Sequence, residues 1–382
     1  MDPDAATGAA TELLSRLRLV DSHCHPLLAR ATGPGELERF FGEGDRPLPQ
    51  GVSAWDSPIG LAIRRWCAPA LDLDALASPS DYLERRAALG VDDVAGRLLG
   101  AAHLSHLLVD TGIVGPDLAD RALLGEAAGA TVSEVVRLER VAEDLATSGV
   151  EPEGFAAAYV DRLGVACSQA AAVKSVVAYR HGLDVDPARP GPAEVRAAAE
   201  EWLAQRVARL SHPVLLRFVL WAGIDLRLPL QIHTGFGDRD ILLQRSDPSL
   251  LQPLLTALEP SEVPVVLLHC YPYHRQAGWL TTVYPSVYAD VGLTVGQVGA
   301  GAAGVLGEFF ELAPVAKLMF STDGYRLPEH FLVGAAQFRH SLGRLLDGRV
   351  AEGALTIDDA ERAARMVSAD NARRVYTRLA SP

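Results

Sequence analysis

Eight short apolar runs, most of them separated by a helical stretch, restrict the fold of this chain more than any other feature. Strands that alternate with helices indicate βαβ units and a parallel sheet. Eight such units favour an α/β fold of the (β/α)8 TIM-like barrel type over an open sheet, which more often has a glycine-rich phosphate turn after its first strand. The predicted strands are the run that ends before His23 and residues 106–110, 135–139, 172–177, 228–232, 263–268, 286–289 and 317–320.

Helical periodicity accounts for most of the segments between these strands. An alanine-rich helix is predicted over residues 1–19, where it leads into the first strand. Because apolar residues recur at helical spacing elsewhere, we predict further helices between the strands and two after the last strand. They span residues 192–210, 214–224, 248–258, 302–312, 328–346 and 357–379.

A long section at about residues 27–100 is rich in glycine, proline and charged residues, with helical periods at 59–66 and 81–89. A structureless loop of this length would be uncommon inside a compact domain. We interpret the section as a helical insertion after strand 1, which either caps a pocket or decorates the periphery. No linker and no fixed-period repeat interrupts the chain, so we predict a single domain over residues 1–382.

Composition excludes several classes of partner. The formal net charge is −13, and no cluster of Lys and Arg is present, which argues against binding to nucleic acid or to an anionic membrane. No apolar run is long enough to span a bilayer, and the first residues lack a signal-peptide pattern, so we expect a cytoplasmic protein. The four cysteines are far apart in the sequence and should stay thiols.

Two histidines at the end of the first predicted strand form the beginning of a candidate site. Residues i and i+2 of a strand point to the same face, so His23 and His25 should project together. Two imidazoles on one face make half of a metal site, although a pair of polar residues in a turn is the simpler alternative. The metal interpretation gains support from the polar residues that follow later strands.

Three of those residues are His233, His269 and Asp323, each just past an apolar run. The carboxyl ends of barrel strands are where such folds build their active sites. His233 and Asp323 would complete a zinc site with the two histidines of strand 1, and Asp323 could also accept a proton from water. His269 is either a further ligand or the group that polarises a substrate carbonyl.

This ordered set resembles the amidohydrolase superfamily. Residues 173–180, 231–238 and 320–324 are similar to the amidohydrolase-related domains that are fused to glutamine synthetase in plant nodulin-like and fungal FluG-type proteins. The resemblance covers roughly residues 19–379 and is weak in the insertion. It implies a metal-dependent hydrolase, and some free-standing bacterial members act on γ-glutamyl amides.

The number of metal ions depends on Lys174, which lies on predicted strand 4. Some members of the superfamily hold two ions bridged by a carboxylated lysine on that strand. In such a centre His269 and His233 would hold the second ion. In the other arrangement one Zn²⁺ suffices, and Lys174 pairs with a substrate carboxylate or with Glu139. We favour one ion.

Four residues are candidates for contacts with the substrate. Arg137 and Glu139 should share a face of strand 3, where they either meet a polar substrate or form an ion pair beneath the site. Arg180 follows strand 4 and could bind a substrate carboxylate with two hydrogen bonds, or form a surface ion pair. Asp238 follows the strand 5 histidine on a glycine-containing loop.

The candidate ligands and the resemblance together predict a metal-dependent hydrolase that cleaves the C–N bond of an amide. The resemblance implies a γ-glutamyl or other carboxylate-bearing small molecule as the substrate. The alternative reactions are decarboxylation and lactone hydrolysis on the same barrel. A regulatory barrel without chemistry is a third interpretation, but it predicts an incomplete ligand set, whereas all five positions are filled. Self-association into a homo-oligomer is common for such barrels.

Overall fold

The structure, a computed structural model, describes residues 8–379. Its centre is an eight-stranded sheet in which each strand pairs in parallel with the next one along the chain. The predicted (β/α)8 barrel is therefore confirmed. The strands are β1 (Leu19–Cys24), β2 (Leu104–Asp110), β3 (Thr131–Arg137), β4 (Ala172–Ser175), β5 (Leu230–Thr234), β6 (Val265–His269), β7 (Val287–Asp290) and β8 (Leu318–Met319).

The barrel closes through backbone contacts beyond the two-residue strand β8. The Ser22 amide donates to the Phe320 carbonyl at 3.1 Å, and the Asp323 amide donates to the His23 carbonyl at 3.0 Å. These bonds bind the chain after β8 to β1. Asp323 is thereby held beside the two histidines at the end of the first strand, as a closed parallel barrel requires.

Helices surround the barrel and fill the predicted insertion. Among residues 8–379, seven α-helices have proline in the first turn, where its missing N–H costs no hydrogen bond. The helices of residues 8–379 are α1 (Ala9–Arg16), α2 (Pro34–Arg39), α3 (Pro58–Ala70), α4 (Pro79–Leu89), α5 (Val91–Ala102), α6 (Arg121–Ala128), α7 (Leu138–Thr147), α8 (Phe155–Ala166), α9 (Val177–Arg180), α10 (Pro192–Ala204), α11 (Pro213–Asp225), α12 (Gln252–Leu258), α13 (His274–Val283), α14 (Thr294–Gln297), α15 (Ala302–Phe309), α16 (Pro328–Ala351), α17 (Ile357–Arg365) and α18 (Asn371–Val375).

The insertion contains helices α2 to α5. The helical periods predicted at 59–66 and 81–89 correspond to α3 and α4. Each of these helices begins with a serine whose side chain accepts a backbone amide: Ser57 from Gly60 and Ser78 from Asp81, both at 3.2 Å. A serine cap followed by proline explains why both helices start where they do.

The barrel interior has an apolar half and a polar half. Val20, Leu108 and Val266 form part of a buried cluster inside the barrel, into which Val375 and Tyr376 of the C-terminal segment also pack. A larger buried cluster joins the outer faces of the strands to the surrounding helices. Strands of a parallel barrel are buried on both faces, which explains their nearly continuous apolar sequence.

The prediction that Glu139 lies on strand 3 is wrong. Strand β3 ends at Arg137 and helix α7 begins at the next residue, so the two side chains do not share a strand face. The buried Glu139 carboxylate accepts hydrogen bonds from the Ser175 hydroxyl at 2.7 Å and the Val176 amide at 3.0 Å. A carboxylate in the first turn of a helix is favoured by the helix dipole, and here it also fastens α7 to the end of β4.

The structure also bears on the expectations that no segment spans a membrane and that the cysteines are thiols. Among residues 8–379, no helix is long and apolar enough to cross a membrane. Residues 1–7, which belong to the predicted N-terminal helix and to the segment without a signal pattern, lie outside the described residues. The four cysteines are buried free thiols, as predicted.

Candidate metal centre

A cluster of imidazoles and one carboxylate lies at the carboxyl end of the barrel. The Asp323 Oδ1 atom is 3.3 Å from the Nε2 atoms of both His23 and His25, and Oδ2 is 3.8 Å from Nε2 of His269. The three histidines are buried, and the Asp323 side chain is 13% exposed. Strands β1 and β6 and the chain after β8 thus bring four of the five predicted residues together.

The backbone at two of these residues is unusual. Asp323 and His269 have φ values of 50° and 68°, a region that residues other than glycine seldom adopt. Buried hydrogen bonds hold the first of these turns, because the Asp21 carboxylate accepts the Thr322 amide at 2.9 Å. Uncommon backbone conformations cluster at functional sites, where surrounding contacts compensate their cost.

The hydrogen bonds of His23 determine which of its nitrogens faces the cluster. The Gln231 amide donates through Nε2 to the Ser22 carbonyl at 2.7 Å and to the Tyr376 hydroxyl at 2.9 Å. Its oxygen therefore faces the His23 Nδ1 atom, 2.8 Å away, which must donate a proton to it. The His23 Nε2 atom is left with a lone pair that points at Asp323.

His25 has the same arrangement, with its Nδ1 atom 3.3 Å from the Asp110 carbonyl oxygen. Its Nε2 atom is then also an acceptor. Asp323 Oδ1 is buried without a hydrogen-bond partner among the described residues, so three acceptors converge on one point. A bound cation stabilises such an arrangement, and imidazole with carboxylate suits a divalent transition metal. The residues present fit a bound metal ion.

Electrostatics support the protonation states that metal binding needs. Burial lowers the pKa of His23 to about 4 and that of His269 to about 3, so both imidazoles are neutral at pH 7. Burial alone would raise the pKa of Asp323, but the nearby imidazoles outweigh that effect and hold the pKa well below its usual range. Neutral histidines beside an ionised carboxylate form a ready set of metal ligands.

Lys174 extends into this cluster from β4. Its Nζ atom is 3.3 Å from the His23 Nε2 atom, and its side chain is buried. Burial lowers the pKa of this amine to about 8, while Asp110 and Asp323 oppose the shift. Pairing with Glu139, one of the two alternatives for this lysine, does not occur, because that carboxylate is bound to Ser175 and Val176.

His233 lies near the cluster, but its Nε2 atom is directed elsewhere. That nitrogen is 3.1 Å from the Phe236 carbonyl oxygen, and the ring packs 4.6 Å from the His269 ring and 4.5 Å from the Tyr179 ring. As a metal ligand through Nε2, His233 would first have to release the carbonyl. Its role as a ligand therefore stays a prediction.

The sequence analysis missed Asp110, the last residue of β2. Its carboxylate accepts two hydrogen bonds from Arg137, at 2.7 and 3.1 Å, so this arginine is paired beneath the site. Burial would raise the pKa of Asp110, but the guanidinium outweighs it and holds the pKa well below its usual range. One potential ligand atom from each of His23, His25 and Asp110 lies within 4.8 Å of the other two, so these residues form a second potential metal group. The signal was available, because Asp110 ends an apolar run.

A cavity of about 590 Å³ opens above these residues. Arg137, Lys174, Arg180 and Asp238 line it, whereas Glu139 does not. Arg180 is held by Glu143 at 3.0 Å, which is the ion pair that was the alternative to substrate binding. Residues 39–40 and 42–45 of the insertion form part of the wall, so this section covers the metal cluster from outside the barrel.

Gln231 is expected to control metal affinity although it touches no metal. Replacing it with leucine (Gln231→Leu) removes the acceptor that fixes His23, and such changes next to ligand histidines cost roughly 10- to 100-fold in metal affinity. Competition with a chromophoric chelator measures this. The control Tyr376→Phe leaves the Gln231–His23 bond intact and should change the affinity less than about 3-fold. Equal losses in both variants would show that barrel packing, not the His23 tautomer, is responsible.

Known proteins share this fold and much of this sequence. A family model described as amidohydrolase matches residues 185–378. Protein fluG of Emericella nidulans is 30% identical over 414 residues, covering 97% of this chain and 47% of that protein, so the chain spans about half the length of this relative.

Solved structures extend the comparison. A protein of Lactobacillus casei, provisionally described as a metal-dependent hydrolase, is 26% identical with a TM-score of 0.87, covering 98% of this chain and 100% of that one. Uronate isomerase of Thermotoga maritima is 16% identical with a TM-score of 0.64, over 96% and 97% of the two chains, and shows that the fold supports other chemistry.

The family match covers just over half of the 382 residues, and it includes the strands that carry His233 and His269 and the chain that carries Asp323. The likeness to fluG and to the Lactobacillus protein extends over nearly the whole chain. Together with the metal cluster at the carboxyl end of the barrel, these matches confirm the resemblance found in the sequence: the chain belongs to the amidohydrolase family.

Proposed function

We propose that this protein is a zinc-dependent hydrolase that cleaves the C–N bond of a carboxylate-bearing amide. The observation that carries the proposal is the convergence of His23 Nε2, His25 Nε2 and Asp323 Oδ1, the last of which is buried without a hydrogen-bond partner among the described residues. These three atoms would hold the ion. Imidazole and carboxylate ligands suit zinc, and a hydrolytic zinc site leaves a position open for water.

When bound, the metal lowers the pKa of water and polarises a carbonyl group. The residues of the chain supply the proton transfers. The second carboxylate oxygen, Asp323 Oδ2, lies 3.8 Å from His269 Nε2, and it can accept the proton of the attacking water and return it to the departing amine. The buried, neutral His269 can donate an N–H to the carbonyl oxygen as negative charge develops there.

The preference for a carboxylate-bearing substrate rests on the positive side chains of the cavity and on the family resemblance. Arginines and a lysine line the same cavity as the cluster, and they favour a small anionic molecule. The γ-glutamyl amides are the first class to test. Decarboxylation and lactone hydrolysis remain the competing reactions.

Hydrolysis in ¹⁸O-labelled water tests the reaction type. The metal-loaded protein is incubated with γ-glutamyl amides, N-acyl amino acids and lactones, and mass spectrometry follows the products. We expect release of an amine and one ¹⁸O atom in the new carboxylate. Activity should be lost on chelation and restored by Zn²⁺, because the acceptor cluster has no cation without it.

The outcomes separate the competing reactions. Loss of CO₂ without incorporation of label would mean decarboxylation, and labelled hydroxy acids from lactones alone would mean lactone hydrolysis. Turnover that survives thorough chelation would contradict the metal-dependent mechanism. An intact metal site with no turnover of any amide or ester would favour a regulatory role.

A further inference from the structure

Two arginines of the cavity wall, Arg39 and Arg326, form no ion pair with any of the described residues. Arg326 lies three residues after Asp323, in the loop between β8 and α16, and it lines the same cavity. The other arginines deep in the cavity are paired: Arg137 with Asp110 at 2.7 Å and Arg180 with Glu143 at 3.0 Å. Among residues 8–379, Arg326 forms no ion pair, and its Nε atom is buried without a hydrogen-bond partner.

The guanidinium is held between two aromatic rings. Its central carbon is 4.6 Å from the centre of the Phe40 ring and 4.5 Å from the centre of the Tyr325 ring. Stacking of this kind satisfies the faces of the cation but leaves its N–H groups, which lie in the plane, for an acceptor. The polar Tyr325 side chain also interacts with it.

The backbone of the loop is anchored, so the guanidinium is preorganised. The Arg326 amide donates to the Pro26 carbonyl at 3.1 Å, and the Arg326 carbonyl accepts the Leu28 amide at 2.9 Å. Its φ value of 63° is uncommon for arginine, so the surrounding contacts must hold this backbone conformation in place. A fixed cation loses little side-chain entropy when an anion binds.

Nearby acids do not neutralise this charge. Glu36, whose charge Arg326 affects at a distance, is already bound by Arg30 through two hydrogen bonds of 2.7 and 2.9 Å. Glu43 lines the cavity on the same insertion segment, but burial raises its pKa to about 8, so it is protonated at pH 7. Neither of these carboxyl groups therefore neutralises the positive charge of Arg326 in the cavity wall.

We propose that Arg326, clamped by Phe40 and Tyr325, binds the carboxylate of the substrate and selects for carboxylate-bearing amides. This Arg326 subsite takes the place that the sequence analysis gave to Arg180, which is occupied by Glu143. A planar carboxylate matches the two parallel N–H donors of a guanidinium. The inference rests on the proposed hydrolase function, since it names the substrate group that would be held while the amide lies at the metal cluster.

Binding of matched ligands tests the subsite without relying on turnover. Isothermal titration calorimetry compares the monoamides of succinate, glutarate and adipate with their neutral diamides. The protein is metal-loaded and wild type at Asp323. We expect at least one monoamide to bind about 10- to 100-fold more tightly than its diamide. Arg326→Gln should remove this preference while the affinity for the diamide, the metal content and Tm are unchanged. Arg326→Lys should retain part of it.

A matched control is available in Arg209, which lines the same cavity but is paired with Asp240. Arg209→Gln should keep the preference for the monoamide. A preference that survives in Arg326→Gln, or that is absent from the wild-type protein across all three chain lengths, would overturn the proposal. Equal loss of monoamide and diamide binding, with a lowered Tm, would assign Arg326 a structural role and overturn it as well.

The same data separate this inference from the function on which it rests. A charge preference that depends on Arg326, in a protein that hydrolyses no amide, would leave the carboxylate subsite standing and remove the hydrolase. Amide hydrolysis without such a preference would do the reverse.

Discussion

Asp323→Asn is expected to lower kcat/KM for amide hydrolysis by about 10³- to 10⁴-fold, which corresponds to about 4–5.5 kcal/mol of transition-state stabilisation. The substitution keeps the shape of the side chain and removes its charge and its basicity. Oδ1 would no longer supply negative charge between the Nε2 atoms of His23 and His25, which lie 3.3 Å away. Oδ2 would no longer accept a proton.

Two measurements distinguish these contributions. Metal content by mass spectrometry reports on the charge, and kcat/KM at saturating Zn²⁺ reports on the proton transfer. Asp240→Asn is the matched control, because that carboxylate lines the cavity but is exposed and bound by Arg209; its effect should be below about 3-fold. Residual activity of Asp323→Asn within tenfold of wild type would mean that another group is the base.

The barrel and most of the site follow from local sequence patterns. A buried parallel strand is an apolar run, and the polar residues that follow the run mark its carboxyl end, so His23, His269 and Asp323 could be placed by position. Closure of the barrel then forces these ends together. The closeness of these three residues could be predicted because it follows from the topology of the barrel and not from side-chain packing.

Helix α7 shows where this reasoning fails. The spacing of Arg137 and Glu139 fits a strand, and nothing local marks the change to a helix between them. The change is stabilised by contacts to Ser175 and Val176, which come from the next strand and are invisible in the sequence around residue 139. Tertiary contacts override local periodicity in such cases.

The residues that orient the candidate metal ligands could not be recognised in the sequence, for a different reason. Gln231 lies in the middle of β5 and reads as one polar residue in an apolar run, yet it joins His23 to Tyr376 of the C-terminal segment. Partners separated by 145 and 208 positions cannot be paired from one sequence. For Arg180 the structure shows the ion pair that was the alternative to substrate binding, and its partner Glu143, 37 positions away on α7, could not be identified from one sequence either.

The metal content of the purified protein is expected to be about one ion per chain, falling to nearly zero in His23→Ala and staying near one in Lys174→Met. His23 contributes one of the three convergent acceptors, and its loss leaves two. The Lys174 amine, with a pKa lowered to about 8 by burial, is largely protonated at pH 7 and is 3.3 Å from His23 Nε2. Carboxylation would replace this cation with an anion beside the buried carboxylates of Asp110 and Asp323, at a cost that a second ion would have to offset.

Methionine is the appropriate replacement because it fills the space of the buried Lys174 side chain without its charge. Elemental analysis per chain gives the stoichiometry, and ¹³C NMR after incubation with labelled bicarbonate detects a carbamate directly. Two ions in the wild-type protein, one of them lost in Lys174→Met, together with a bicarbonate-dependent carbamate signal, would establish a lysine-bridged pair instead. His233 and His269, whose rings lie 4.6 Å apart, would then be the ligands of the second ion. The mechanism would change with them, because His269 would no longer be free to donate to the substrate carbonyl.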